Sequence, residues 1–181
     1  MYKPPYWFLK NHKFDQNEID RVKNNLLGRK EELAQEISFT NSVTSFFTGQ
    51  KPETIFLESY KKIVEEITQS AGIYNYCRYD FFYWAQVYED GHEHIPHHHA
   101  DAMGPNNNQI SFVHFLDVPE KKLFRFVDGA GHSYYPEEQK SGDIIYFPSW
   151  AWHQVMGNDT GHVRVAIAGN IKVTQFSDLL W

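Results

Sequence analysis

The chain has 181 residues, 41% of them hydrophobic and 17% aromatic, and a formal net charge of −6 with histidine neutral. A single cysteine, Cys77, excludes an internal disulfide framework and a multi-cysteine zinc site, and the acidic balance argues against a nucleic-acid backbone as main partner. No apolar run approaches a membrane span and the opening MYKPPYWFLKNHKF has no signal-peptide core, so the expectation is one soluble, cytoplasmic domain with an aromatic core or pocket.

Up to residue 72 the signals are helical. Asp15-Gln-Asn-Glu18 has the form of a capping box, with Phe14 and Ile19 placed as a hydrophobic staple. Ile19, Val22, Leu26, Leu33 and Ile37 recur at helical spacing. A polar loop through Asn41 and Thr48-Gly49 follows. Pro52 suits the first turn of a second helix, Phe56, Tyr60, Ile63 and Ile67 form its apolar stripe, and Gly72 ends it.

From residue 73 the pattern turns to short β-branched and aromatic runs between turn residues. The predicted strands are RYDFFYWAQVY (78–88), ISFVHFLDV (110–118), LFRFVD (123–128), DIIYFP (143–148), HQVMG (153–157) and HVRVAIAGNIKV (162–173). Many short strands punctuated this way imply a mainly β sandwich or jelly roll over residues 73–181. Residues 1–72 would form a helical cover on one sheet face of the same domain.

The stretch Gly91 to Asp101, GHEHIPHHHAD, holds five of the ten histidines. Residues two apart on a strand share a face, so His97 and His99 can point together while His98 faces away; Pro96 makes a helix there a poor reading. Two such imidazoles offer adjacent ligands to a first-row divalent ion. His153 is the candidate third, because it follows the apolar strand of DIIYFPSWAW. Three protein ligands on one face leave open positions, as in non-haem iron oxygenases and some catalytic zinc sites. His12, His132 and His162 lack such context and are read as surface residues, His92 and His94 as loop residues or supporting hydrogen-bond donors, and His114 as core or pocket lining.

The stretch Tyr88-Glu-Asp-Gly91 through Pro96-His97-His-His99, with Gly142-Asp143, Pro148 and His153 downstream, resembles the prolyl-4-hydroxylase-like oxygenases that depend on 2-oxoglutarate. That family carries a tyrosine, a glycine three residues later, Pro-His-x-Asp, a distal histidine and then a basic residue. Here Arg164 follows His153 with ten residues between. The resemblance covers about residues 84–173 and implies a double-stranded β-helix. It also implies Fe(II) as metal, 2-oxoglutarate and O2 as cosubstrates, and Arg164 as the partner of the cosubstrate's distal carboxylate. A bare arginine in so apolar a strand is costly unless it meets an anion, which a guanidinium fork suits. The usual carboxylate position holds His99, whereas sliding by two residues makes His99-Ala-Asp101 the His-x-Asp pair. The preferred ligands are His97, His99 and His153, with Asp101 as alternate ligand or supporting group. Tyr88, Phe115, Trp150 and Trp152 are expected pocket walls.

The expected activity is oxidative decarboxylation of 2-oxoglutarate coupled to hydroxylation of a substrate left open, a peptide side chain being what the resemblance suggests. Two alternatives stand beside it. Gly91, His97, His99, Gly142, Pro148 and His153 also fit cupin motifs, which would mean a metal-dependent dioxygenase or isomerase without 2-oxoglutarate. A cupin, however, carries a Glu soon after the first pair, where positions 103 and 104 here are Met and Gly. The other alternative is a non-catalytic metal-binding jelly-roll module. Arg164 discriminates the oxygenase from the cupin, because a cupin needs no buried arginine for a cosubstrate dicarboxylate.

Overall fold

The computed structural model describes residues 3–33, 40–46, 56–72, 77–100 and 110–176. Helix α1 (Gln16–Gly28) begins where Asp15 turns extended and its carboxylate accepts the Asn17 N–H at 2.9 Å. This is half of the expected capping box, one otherwise orphaned amide being satisfied by the side chain. Ile19, Val22 and Leu26 are buried on one face of α1, and the short helix α2 (Lys30–Leu33) continues the stripe with Leu33. Phe14 stacks on Phe56 with ring centroids 4.3 Å apart, tying the α1 entry to helix α3 (Leu57–Ser70). Tyr60, Ile63, Val64 and Ile67 bury the inner face of α3, and Gly72 closes it with φ +75°, a conformation open to glycine at little cost. Ile37, Thr48-Gly49 and Pro52 lie outside the described residues. Among the described residues, no helix is long and apolar enough to cross a membrane.

The six predicted strands are present as β3 (Cys77–Tyr88), β5 (Ile110–Asp117), β6 (Phe124–Val127), β8 (Ile144–Pro148), β9 (His153–Val155) and β10 (Arg164–Phe176). Four others of two to four residues join them: β1 (Trp7–Leu9), β2 (Val43–Thr44), β4 (His94–His97) and β7 (Ser133–Tyr134). Segments this short carry little period-2 signal, and the expected strands of that length, β6 and β9, were marked by the longer runs LFRFVD and HQVMG that hold them. Residues 1–72 are therefore more than a helical cover, since β1 and β2 supply both edges of the larger sheet. That sheet runs β1-β8-β5-β10-β3-β2 and the smaller one β4-β9-β6-β7, with every recorded pairing antiparallel.

The central strands are mostly apolar because both their faces are covered, and alternation decides which face each residue serves. On the outer face, Phe112, Leu116, Ile144, Tyr146, Val165 and Ile167 pack with the helices in one core cluster. On the inner face, Val113, Phe115, Ile145, Phe147 and Ala166 meet Leu123, Phe124, Phe126 and Val155 of the smaller sheet in a second cluster. Gly169 interrupts β10 for a packing reason: a Cβ there would run into the Phe112 ring and the Phe82 carbonyl oxygen. The expected Gly142-Asp143 pair is a turn. Gly142 has φ +92°, and the Asp143 carboxylate accepts the Lys140 N–H at 3.0 Å, delivering the chain into β8.

Candidate metal centre

The three preferred histidines converge. Strands β4 and β9 are antiparallel neighbours, and His97 stands directly opposite His153 in their register. His99 lies just past the end of β4, where its N–H donates to the Ser149 carbonyl at 2.8 Å. One ligand atom from each of His97, His99 and His153 lies within 4.8 Å of the others. Their ring centroids are 4.2 Å (His97–His153), 5.1 Å (His97–His99) and 5.0 Å (His99–His153) apart. Among the described residues no Asp, Glu or Cys joins the group. Asp101, the alternate ligand, lies outside the described residues.

Each imidazole is held by the nitrogen that does not face the centre. The Nδ1 of His97 donates to the Ile95 carbonyl at 2.9 Å, and that of His153 to the Ala151 carbonyl at 2.9 Å. The Nδ1 of His99 meets the Asn170 Oδ1 at 2.8 Å. Donation from Nδ1 sets one tautomer in all three rings and makes each Nε2 a lone-pair donor, the arrangement in which imidazoles bind metals. Asn170 is itself fixed, because Ser111 donates to its Oδ1 at 2.7 Å and shares a 2.9 Å hydroxyl contact with Ser149. Burial is the first cause that holds these rings neutral. It drives His97 down to about 2, and neighbouring imidazoles add to the effect. His153 and His99 are lowered for the same first reason. A neutral ring is the form a metal ion requires.

Arg164 opens the inner face of β10, which continues through Ala166, Ala168 and Asn170. The residue is 2% exposed, and its guanidinium sits over the Tyr88 ring at 4.8 Å and the Phe115 ring at 5.6 Å. Burial lowers its pKa, with Tyr88 opposing. Its Nη1 is buried without a hydrogen-bond partner among the described residues. A buried cation so placed is unfavourable by several kcal/mol unless something anionic reaches it. Arg164 and all three histidines line one pocket of about 360 Å³, within the size range of small-molecule sites.

The remaining histidines divide as their neighbours dictate. His132 and His162 are exposed beside Asp128 and Asp117, and His12 is half-buried 3.4 Å from Glu66. The Nδ1 of His92 accepts the Glu89 N–H at 3.2 Å in a turn. His114 is core: its Nε2 donates to the His12 carbonyl at 2.7 Å, and its Nδ1 accepts the Tyr60 hydroxyl at 2.8 Å. Of the expected walls, Tyr88 lines the pocket and Phe115 supports Arg164, whereas Trp150 and Trp152 are 55% and 45% exposed and stand outside it. The Pro148–Ala151 turn carries both indoles outward. Phe46, Trp84 and Phe124 line the pocket instead, with His94 and His98 beside them. Sequence reasoning missed Asn170, whose signal was a polar side chain within an apolar strand.

No protein-family model matches the chain, and comparison with curated proteins finds no significant match. Solved structures do match. A Pseudomonas putida prolyl-4-hydroxylase is 16% identical, covers 94% of this chain and 93% of its own, and superposes with a TM-score of 0.66. The viral collagen prolyl hydroxylase of Paramecium bursaria Chlorella virus-1, in its 2-oxoglutarate complex, is 17% identical over 93% of this chain and 96% of its own, with a TM-score of 0.62. The non-haem alpha-ketoglutarate-dependent carbocyclase SnoK from nogalamycin biosynthesis is 15% identical over 95% and 81%, with a TM-score of 0.67. At these identities the likeness establishes the fold, the double-stranded β-helix found in prolyl-hydroxylase-like 2-oxoglutarate oxygenases.

Proposed function

We propose that this chain is an Fe(II)- and 2-oxoglutarate-dependent dioxygenase that converts R–H, O2 and 2-oxoglutarate into R–OH, succinate and carbon dioxide. The observation that carries the reading is Arg164: a buried guanidinium whose Nη1 has no hydrogen-bond partner among the described residues, in the same pocket as three imidazoles that bring one possible ligand atom each within 4.8 Å of one another. His97, His99 and His153 would hold the iron, and Arg164 would receive the distal carboxylate of the dicarboxylate cosubstrate, relieving its unpaired charge. When bound, iron and 2-oxoglutarate supply the oxidising power for attack on a C–H bond. The protein contributes position and dryness. The carbonyls of Ile95 and Ala151 and the side chain of Asn170 fix the three rings. Tyr88 holds the guanidinium over its ring at 4.8 Å, and Phe46, Trp84, Val113, Phe124 and Val155 give the pocket apolar walls.

Anaerobic addition of Fe(II) and then 2-oxoglutarate tests this through the weak visible metal-to-ligand charge-transfer band. The band is expected only with both present, and is expected to vanish in Arg164→Ala and His153→Ala. A second reading draws on the all-imidazole group among the described residues: a cupin-type dioxygenase or isomerase that needs no 2-oxoglutarate. Iron binding without the band would favour it. Asp101→Ala, measured alongside, separates the two ligand registers, because a loss of iron there would make Asp101 a ligand.

A further inference from the structure

His99 differs from its two neighbours in what orients it. His97 and His153 each donate from Nδ1 to the backbone carbonyl two residues earlier, Ile95 and Ala151, both at 2.9 Å. The Nδ1 of His99 instead meets two side chains from other strands, Asn170 Oδ1 of β10 at 2.8 Å and Ser111 Oγ of β5 at 3.1 Å. His99 is also the residue that both ligand registers share, His97-His-His99 and His99-Ala-Asp101. What holds its ring therefore matters whichever residue completes the group.

Proton counting gives the network a direction. Ser111 donates to Asn170 Oδ1 at 2.7 Å, so its oxygen is left to accept, and the Ser149 hydroxyl 2.9 Å away is the donor. Asn170 Oδ1 thus receives a hydroxyl proton and the Nδ1–H of His99. Ser149 closes the loop, because its carbonyl accepts the His99 backbone N–H at 2.8 Å. Ser111, Ser149 and Asn170 are all buried, which strengthens each bond and makes a wrongly turned amide costly. Reversing the amide would send its NH2 to His99 Nδ1, move the ring proton to Nε2 and close that nitrogen to a metal.

We infer that Asn170 is a positioning residue of the metal centre: its carbonyl oxygen, held by Ser111 and Ser149, keeps the His99 proton on Nδ1 and leaves Nε2 for the metal. This deepens the dioxygenase reading and rests on it for the use of Nε2. Of the three rings, His99 alone has its Nδ1 on side chains, so its orientation is the one that a substitution can remove. Loss of such a partner typically weakens metal binding by about 10–100-fold. A carboxylate in place of the amide would accept the same bond more strongly and make the ring a better donor to metal.

Two measurements on the full chain test this. In metal-free protein with nitrogen-15-labelled histidine, long-range proton–nitrogen spectra read the tautomer of each ring, and His99→Gln identifies the signal. His99 is expected as the Nδ1–H tautomer in the parent and in Asn170→Asp, and as a mixture of tautomers in Asn170→Leu. Titration with cobalt(II), followed by its visible absorption, then reads metal affinity. Asn170→Leu is expected to bind cobalt about 10–100-fold more weakly than the parent, and Asn170→Asp at least as tightly. A residue that only filled space would give no such opposition between the two variants. Where Asn170→Leu does not fold, Asn170→Ser, too short to reach His99, takes its place with the same expectation.

A parent His99 that carries its proton on Nε2 would overturn the inference with no variant needed. So would cobalt affinity in Asn170→Asp as weak as in Asn170→Leu. The two readings fail separately. Tight cobalt binding indifferent to every change at Asn170 leaves the metal centre and removes the positioning role. A parent ring with its proton on Nδ1 that takes up no cobalt keeps the orientation by Asn170 and removes the metal assignment.

Discussion

The buried His114 on the outer face of the larger sheet and the three imidazoles that lie across from its inner face differ in what their polar atoms touch. On the outer face, His114 uses both ring nitrogens within the protein, one on the His12 carbonyl and one on the Tyr60 hydroxyl. On the inner face, His97 and His153 each use one nitrogen on a carbonyl and turn the other toward the pocket, where Arg164 also holds an unpartnered Nη1. Burial depresses the pKa of the rings in both places, to about 3 at His114 and about 2 at His97. A shifted pKa therefore does not separate structure from function in this fold. Hydrogen bonding does distinguish these two: His114 has both ring nitrogens partnered, whereas His97 and His153 each have one nitrogen on a carbonyl and the other toward the pocket.

The largest effects should fall on that contrast. His153→Ala is expected to abolish the charge-transfer band and any 2-oxoglutarate turnover, and also to cost about 2 kcal/mol or more of metal-free stability, because the buried ring packs on Phe124 and Phe147. His114→Leu should cost stability alone. It strands the Tyr60 hydroxyl and the His12 carbonyl in the core, costing about 2–4 kcal/mol while the band persists. Urea midpoints and anaerobic spectra on the two variants read both quantities. If His114→Leu removed the band, the two faces would not be separable. Gly169→Val, which drives a branched side chain into Phe112 and the Phe82 carbonyl, should destabilise by about 3 kcal/mol or prevent folding.

Arg164→Met sharpens the comparison with a change of opposite sign. In the metal-free protein it removes a buried, incompletely paired charge and keeps the volume. Stability should rise by about 1–3 kcal/mol while 2-oxoglutarate affinity collapses. Thermal melts with and without Fe(II) and 2-oxoglutarate check this. A loss of stability without ligand would mean that Tyr88 and Phe115 already compensate the guanidinium.

The unequal legibility of the two faces has a physical origin. His97, His99 and His153 were readable from their spacing along the chain, and Arg164 from its place in an apolar strand and from the family resemblance. The six expected strands followed from β-branched and aromatic runs between turn residues, β9 being cut to three residues, and the described helical stripes followed from periodicity. Asn170, His94, Trp84 and Phe46 were not readable. They reach the pocket from β10, β4, β3 and the turn after β2, and only the pairing of those strands brings them together. Trp150 and Trp152 mislead for the complementary reason: beside His153 in sequence, they are turned to solvent by a tight turn.

Acid should stress the outer cluster in a defined direction. His114 is neutral when folded, with a pKa near 3, and takes up a proton on unfolding below its ordinary value of 6.5. The unfolded chain binds more protons in that window, so stability is full above pH 6.5 and falls as pH drops toward 3, by at most about 1.4 kcal/mol per pH unit. Between pH 6.5 and 5 that amounts to about 2 kcal/mol. His114→Gln keeps an acceptor for Tyr60 and a donor for His12, and should lose this share of the pH dependence. The site histidines are common to both proteins and cancel in the difference. Equal slopes of urea midpoint against pH would show that His114 is not the residue responsible.

The smallest expected effect comes from the helical side of the outer face. Asp15→Ala removes the carboxylate that accepts the Asn17 N–H at the start of α1, which should cost about 1 kcal/mol and lower the melting temperature by about 2–4 °C. Its value lies in what should not change. Helix α1 packs in the outer cluster through Ile19, Val22 and Leu26, and none of these lines the pocket. Iron binding and the band should therefore match those of the parent protein at temperatures well below the melt. A shift in 2-oxoglutarate affinity from so remote a cap would mean that the helices set the spacing of the inner face, and the sheet would then couple the two clusters that its alternation otherwise keeps apart.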